Sequence, residues 1–345
     1  MRFLTLVFSF FFTILSIAQN IEGKVSNQYG KPLNGVSVYL DGTSIGTSTN
    51  EEGYFKITAT TKFNTSLIVR FMGYEDVLIS NPYQAKFFDI TMAVKENEIE
   101  AVTIVDDGFS RKSKLEIFRK QFLGTTKAGK QCKILNEDAL VLEYDKKQNM
   151  LIAKSYEPIQ IENAYLGYKI EFDIYDFYIK FGRKSISEHD VVQSMFLGTS
   201  KYYDTSTKEM QRKNRNKVYF GSQMHLFKTI ITQNWDAKSF VLYQGSFPVI
   251  GKDYFEITQE NDFYKVKVTG NYMKTNELTT NRFFAAYNLL YNKTNQSKIV
   301  FNTDEFFVDT FGNNTHRDQI IFGGDLGTQK IGNMLPLNFE PTDAE

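Results

Sequence analysis

The side chains best able to do chemistry together lie in one stretch, RNKVYFGSQMH, from Arg215 to His225. Arg215, Tyr219, Ser222 and His225 supply a guanidinium, a phenol, a hydroxyl and an imidazole, the groups with which hydrolases hold anions and move protons. Ser222 follows Gly221 in FGSQ, which is not the G-x-S-x-G elbow of a nucleophilic serine, and a serine before a helical pattern is typical of a cap. The cluster therefore either orders the loop that enters a helix or lines a ligand groove.

The three histidines do not form a zinc site of the carboxypeptidase kind. Such a site needs two histidines and a glutamate around the metal, with an H-x-x-E core. His189 is followed by DVV, His225 by LFK and His316 by RDQ. We therefore expect no metal ligands, no cofactor and no catalytic residues, and the prediction is that the protein is not an enzyme.

Cysteine and charge exclude further classes of protein. Cys132 is the only cysteine, so the chain has no internal disulfide, and we interpret this residue as a small buried thiol. Lysine plus arginine and aspartate plus glutamate both number 40, a balance that does not favour a nucleic-acid partner. The 31 phenylalanines and 20 tyrosines are typical of a β-rich chain.

The first 18 residues have the pattern of a secretory signal peptide. Arg2 precedes an apolar run from Phe3 to Ile17, and the small residues Ser16 and Ala18 precede the predicted cleavage before Gln19. The run is short for a membrane anchor, which needs about 20 apolar residues. We predict an exported protein of the periplasm or outer membrane.

The elements that follow are short strands separated by glycine-rich turns. Val36, Val38 and Leu40 alternate with polar residues, as in a strand with one buried face. Turns at 30–35 and 50–53 bracket the next alternating segment, and a further strand over 67–71 ends at Gly73-Tyr74. Strands at this spacing indicate a small β-sandwich.

The segment from Ile21 to Val94 resembles the carboxypeptidase-regulatory-like domain, because the glycines of these turns, Pro32, Phe55 and Gly73-Tyr74 all fall at the positions that the domain's pattern gives them. The resemblance implies a transthyretin-like β-sandwich of the kind found in envelope proteins of Bacteroidetes-type bacteria. It also implies that this domain is a non-catalytic module attached to other domains. We assign residues 19–94 to this sandwich and residues 95–109 to a linker strand.

Residues 110–335 are predicted to form one larger antiparallel domain, a sandwich or a barrel-like structure with two short helices. The helices are Ser110–Phe122 and a segment from Ser222 to Thr232, and Lys208–Lys217 is predicted to be a solvated basic loop. Strands are expected over most of the remainder, including a hairpin of 139–144 with 150–156. Residues 336–345 are predicted to be a flexible tail.

One strand, Tyr168–Phe181, changes its buried face midway. Ile170 and Ile174 share one parity, whereas Phe177 and Phe181 have the other. Because side chains alternate with a period of two, this change requires a bulge or bend near residues 175–176. We expect the strand to cross between sheets or to curl.

Segments Phe118–Asn136, Pro158–Tyr168 and Arg215–His225 resemble uncharacterised Bacteroidetes envelope proteins that also carry the regulatory-like domain. The resemblance implies the architecture but no activity. Three hypotheses remain. The first is a non-catalytic envelope protein that binds a protein or glycan partner in the periplasm or at the outer membrane. The others are a small outer-membrane β-barrel and a hydrolase of unknown chemistry that uses Arg215 and His225.

Overall fold

The computed structural model describes residues 19–95, 107–236, 239–274 and 281–342. The predicted signal peptide and most of the predicted linker strand lie outside these residues.

Residues 19–95 form two small sheets around one core. The strands are β1 (Gln19–Asn27), β2 (Ser37–Leu40), β3 (Gly46–Ser48), β4 (Tyr54–Ala59), β5 (Leu67–Arg70), β6 (Val77–Ile79) and β7 (Phe87–Met92). Their orders are β4-β1-β7, in which β1 and β7 are parallel, and β3-β2-β5-β6. Alternate residues of β4, beginning with Phe55 and Ile57, face the core. The predicted β-sandwich is confirmed.

The middle of the chain packs a helix and a six-stranded sheet around a second core. Its elements are α1 (Arg111–Leu123), β8 (Cys132–Ile134), β9 (Leu140–Asp145), β10 (Met150–Ser155), β11 (Ile159–Asn163), β12 (Tyr168–Phe181), β13 (Val191–Asp204) and α2 (Glu209–Tyr219). The sheet order is β8-β11-β12-β10-β9, with β13 along β12. Ser110 caps α1 by accepting from Ser113 N, and Phe118 and Phe122 are fully buried. The first predicted helix and the β9–β10 hairpin are confirmed.

The change of face in β12 is a bulge. Ile174 pairs with Gly198 and Asp176 pairs with Leu197, so Tyr175 is the extra residue. The expectation that β12 crosses between sheets is wrong, because the extra residue resets the alternation. Ile174 and Phe177 therefore face the same core.

Two short helices were expected, but the described residues contain three. The prediction of a solvated basic loop over Lys208–Lys217 is wrong, because these residues lie almost entirely in α2, which buries Asn214, Arg215 and Tyr219. Gln211 Oε1 accepts from Lys208 N at 3.1 Å at the start of α2. Gln211 Nε2 and Asn214 Nδ2 donate to the carbonyls of Ala164 and Tyr165. These hydrogen bonds hold a polar helix against the turn between β11 and β12.

The C-terminal part begins with the second predicted helix, which is confirmed. Its elements are α3 (Gln223–Thr232), β14 (Phe240–Gln244), β15 (Phe247–Val249), β16 (Phe255–Glu260), β17 (Phe263–Val268), β18 (Asn271–Lys274), β19 (Asn281–Tyr291), β20 (Asn295–Phe301), β21 (Glu305–Asp309) and β22 (Ile320–Gly324). One sheet has the order β15-β14-β19-β20-β22, with β18 on β19, and a second has β16-β17-β21. Both sheets and α3 surround a third core.

The predicted 110–335 region thus contains two hydrophobic cores. The middle core uses residues from Ile117 to Tyr219, and the C-terminal core uses residues from Leu226 to Leu326. The chain then returns, because Ile331 and Leu335 are buried in the middle core.

The flexible-tail prediction is wrong for residues 336–342. Leu337 N donates to Gly42 O at 2.8 Å, and Asn338 Oδ1 accepts from Ser44 N at 3.1 Å. The ring of Phe339 lies 5.9 Å from that of Tyr219. The two hydrogen bonds join residues almost 300 positions apart and the ring contact joins residues 120 positions apart, so the local polarity of the tail does not reveal them.

The sandwich is joined to the side of β13 that faces away from β12. Gly42 N donates to Ser200 O at 2.7 Å and Tyr202 N donates to Thr43 O at 3.0 Å. Thr43 and Lys201 form a parallel bridge. The sandwich therefore adds a short piece of strand to the edge of the middle sheet.

Candidate functional site

The predicted polar cluster lies where α2 ends and α3 begins. Gly221 has φ +88°, a conformation that suits glycine, and it turns the chain between the helices. Ser222 Oγ accepts from His225 N at 3.2 Å and so caps α3. The serine oxygen therefore contacts the backbone of His225 and not its imidazole.

The imidazole of His225 is enclosed by aromatic rings. Its centroid lies 5.3 Å from those of Phe220 and Phe240, 5.5 Å from Tyr219 and 5.7 Å from Tyr291. Nδ1 accepts from Gly221 N at 3.1 Å, which requires that nitrogen to be unprotonated. Burial lowers the pKa of His225 to about 4. The ring is neutral at pH 7 and links the middle core to the C-terminal core.

Arg215 is directed to another part of the fold. Its guanidinium binds both carboxylate oxygens of Asp204 at 2.8 Å and donates to the carbonyls of Leu166 at 2.7 Å and Gly167 at 2.9 Å. It also lies 3.7 Å above the ring of Tyr168. The hydrogen bonds from Arg215 hold the pKa of Asp204 well below its usual range.

The structure thus brings three of the four predicted residues together. Tyr219, Ser222 and His225 share the α2–α3 junction, whereas Arg215 fastens α2 to the β11–β12 turn. Of the two interpretations of the cluster, the contacts favour the ordering of a loop over the lining of a groove.

The remaining candidate groups are dispersed. Cys132 Sγ donates to Ala128 O at 3.4 Å, and burial raises the pKa of this thiol to about 12, so it is protonated at neutral pH. His316 Nδ1 lies 2.9 Å from the hydroxyl of Thr315 on an exposed turn. Within the four described ranges, no group of three His, Cys, Asp or Glu side chains could hold a metal ion.

A groove of about 610 Å³ lies between α1 and the loop before β13. Lys120 Nζ bridges it to Glu188 at 2.9 Å. The other residues that line it are Phe109, Ser113, Glu116, Ile117, Lys184, Ser185, Ile186, Ser187 and His189. Its cations, acids and hydroxyls are mixed, so the lining selects no single class of ligand.

Sequence reasoning missed the residues that join the sandwich to the middle sheet. Arg70 binds Asp76 at 2.5 Å and Asp173 at 2.7 Å. Lys201 donates to Ser37 Oγ at 2.9 Å. No local signal identifies these pairs, because Arg70 and Asp173 are 103 positions apart.

A comparison with known families identifies the N-terminal sandwich. Residues 21–104 match the CarboxypepD_reg-like domain. The match covers about a quarter of the chain and includes most of the predicted linker strand. It confirms the resemblance drawn over Ile21 to Val94, whereas the bacterial group and the envelope family stay predictions.

The CarboxypepD_reg-like match is not extended by the comparison with curated proteins. The chain has no match among curated proteins. Among the described residues, no helix is both long enough and apolar enough to cross a membrane.

Proposed function

We propose that this chain is a non-catalytic cell-envelope protein whose CarboxypepD_reg-like domain and β-rich region together bind a protein or glycan partner. The observation that carries the proposal is the use of the candidate catalytic groups in packing and hydrogen bonding. His225 accepts a backbone hydrogen bond inside an aromatic cage, and among the described residues the guanidinium of Arg215 donates its hydrogen bonds to Asp204 and two carbonyls.

The same contacts argue against the hydrolase hypothesis. A serine nucleophile is activated when its hydroxyl donates to an imidazole nitrogen. Ser222 Oγ instead accepts from the amide of His225, and Nδ1 of the His225 imidazole accepts from Gly221 N. A histidine with a pKa of about 4 is also a weak general base at neutral pH.

The proposed compartment rests on residues 1–18, and the binding role rests on the joined architecture. The sandwich is attached by backbone hydrogen bonds at Gly42 and Tyr202 and by the ion pair of Arg70 with Asp173. Residues of two domains held in this way can contribute to one binding site, which suits a binding protein.

The test is fractionation of an epitope-tagged chain, followed by cross-linking of intact envelopes. We expect loss of residues 1–18, recovery with the periplasm or outer membrane, and a cross-linked protein or glycan. Recovery of the uncleaved chain in the cytoplasm would contradict export. An ester, glycoside or peptide hydrolase activity that His225→Asn abolishes without loss of folding would contradict the non-catalytic assignment.

A further inference from the structure

Among the residues that the structure describes, only one half of the outer edge of strand β13 is covered. On one side the strand pairs with β12 from Val191 to Asp204, except at Val192, which a second register shift leaves as an extra residue of β13. On the other side, the sandwich covers Ser200 and Tyr202 through residues 42–43. The earlier part of the same edge, Ser194 to Gly198, continues in line with this junction.

In the segment from Ser194 to Gly198, the backbone N–H and C=O groups of alternate residues point away from β12. Ser200 and Tyr202 face away from β12, as their bonds to the sandwich demonstrate, and outward residues alternate along a strand. Because the bulge adds a residue to β12 and not to β13, the alternation continues to Ser194, Phe196 and Gly198. In the described part of the chain, the outward N–H and C=O groups of these three residues have no hydrogen-bond partner.

The sequence of this edge also lacks the usual protection against strand pairing, although Lys330 Nζ, from a distant segment, donates to Ser194 Oγ at 3.2 Å. Natural edge strands carry lysine, other charges or proline. The segment from Val191 to Ser200, VVQSMFLGTS, contains none of these. Leu197 is 59 % exposed, and Met195 shares its face because the two residues are two apart.

A second copy of the chain does not fit as the occupant. In antiparallel self-pairing about Phe196, residue 200 of one copy lies opposite Val192 of the other. Each copy carries its sandwich on Ser200 and Tyr202, so the sandwich of one copy would occupy the space of the other copy's β13. A single extended segment has no such obstruction.

We infer that an extended polypeptide segment of a partner protein adds to β13 as a strand between Ser194 and Gly198. The four steps between the five residues from Ser194 to Gly198 span about 13 Å, enough for about five partner residues. Backbone hydrogen bonds supply the affinity in this mode of recognition, and alternate side chains supply the selectivity. Apolar side chains of the partner would lie beside Met195 and Leu197.

The inference names the partner class of the proposed binding function and rests on that function for its setting. The probe is a fluorescein-labelled heptapeptide of alternating threonine and valine. Its control has the same sequence with alternate amides N-methylated, which removes donors from one edge only. Binding to the chain from residue 19 onward is measured by fluorescence anisotropy, and amide exchange at 194–198 is measured by mass spectrometry.

The protein variant is Ser194→Pro, which removes one outward N–H, and proline is tolerated at such an edge position. Its matched control, Ser194→Ala, keeps the N–H and removes the same 3.2 Å bond to Lys330 Nζ. We expect at least tenfold weaker binding for Ser194→Pro and for the methylated peptide, with exchange at 194–198 slowed only by the unmodified peptide. If Ser194→Pro fails to fold, Leu197→Lys replaces it, with Leu78→Lys on an exposed position of the sandwich as control.

Equal binding by the methylated peptide, equal binding by the blocked variant, binding without protection of 194–198, or no binding would each overturn the inference. These outcomes leave the proposed function to the fractionation experiment. Export with a cross-linked partner but no peptide binding would refute the edge alone, and cytoplasmic recovery would refute the envelope function.

Discussion

Acidification is expected to destabilise the fold through His225. Burial lowers the pKa of this imidazole to about 4, whereas an unfolded histidine has a pKa of about 6.5. The folded state therefore binds the proton less tightly, so this stability is present above pH 6.5 and is lost as the pH falls towards 4. The difference corresponds to about 3 kcal/mol in total, of which about 2 kcal/mol is lost between pH 7 and pH 5.

The substitution that isolates this effect is His225→Asn. The asparagine oxygen can replace Nδ1 as the acceptor for Gly221 N, and it does not titrate. Urea unfolding is followed at pH 7 and pH 5 by the fluorescence of Trp235, the only tryptophan, which packs against the C-terminal core. We expect the free energy of unfolding of the wild type to fall by about 2 kcal/mol more than that of the variant.

The matched control is His316→Asn. His316 lies on an exposed turn with φ +55°, a conformation that asparagine tolerates. Its substitution should leave the pH dependence of the wild type unchanged. A His225→Asn variant that loses as much stability as the wild type between pH 7 and pH 5 would refute the assignment of the acid sensitivity to this imidazole.

Three further predictions concern contacts that fasten the fold. Arg215→Lys should lower the free energy of unfolding, measured by urea titration, by about 2 kcal/mol, because an ammonium cannot reproduce the forked guanidinium hydrogen bonds. The control Arg212→Lys, on the exposed face of α2, should have little effect. Equal losses of stability in the two variants would contradict this prediction. Gly198→Ala should lower the free energy of unfolding by about 3 kcal/mol, because the added Cβ would overlap a backbone carbonyl of β12. Gly323→Ala, whose Cβ would meet its nearest atom at 3.8 Å, should lower it far less. A small effect of Gly198→Ala in thermal unfolding would refute the close approach of Gly198 to β12. Truncation before Leu337 should accelerate amide exchange at residues 41–44, because its bonds to the sandwich are lost; unchanged exchange would mean that the tail contributes no stability there.

The candidate site was predictable only in its local part. The capping of α3 by Ser222 follows from residue type and from the helical pattern after it. The separation of Arg215 from His225 does not, because it depends on the turn at 164–167, almost 50 positions away. Helix α2 was missed for the same reason, since its polar side chains bind carbonyls of that turn.

The edge of β13 illustrates the same limit. Its uncharged sequence is visible in the chain, but whether it is central or at an edge depends on which strands lie beside it. Only the assembled sheet reveals that residues 42–43 cover one half of the edge, whereas no described segment forms backbone hydrogen bonds with the outer side of Ser194 to Gly198.

The sequence by itself determined the features that repeat over a few residues. Alternation with a period of two predicted the sandwich strands and the bulge at Tyr175, and capping residues predicted α1 and α3. The tertiary structure decided the rest: the two cores of residues 110–335, the return of Ile331 and Leu335, the attached tail, and the strand pairing between Thr43 and Lys201. These features depend on hydrogen bonds and burial between residues that are far apart in the sequence, and such contacts leave no periodic pattern in the chain.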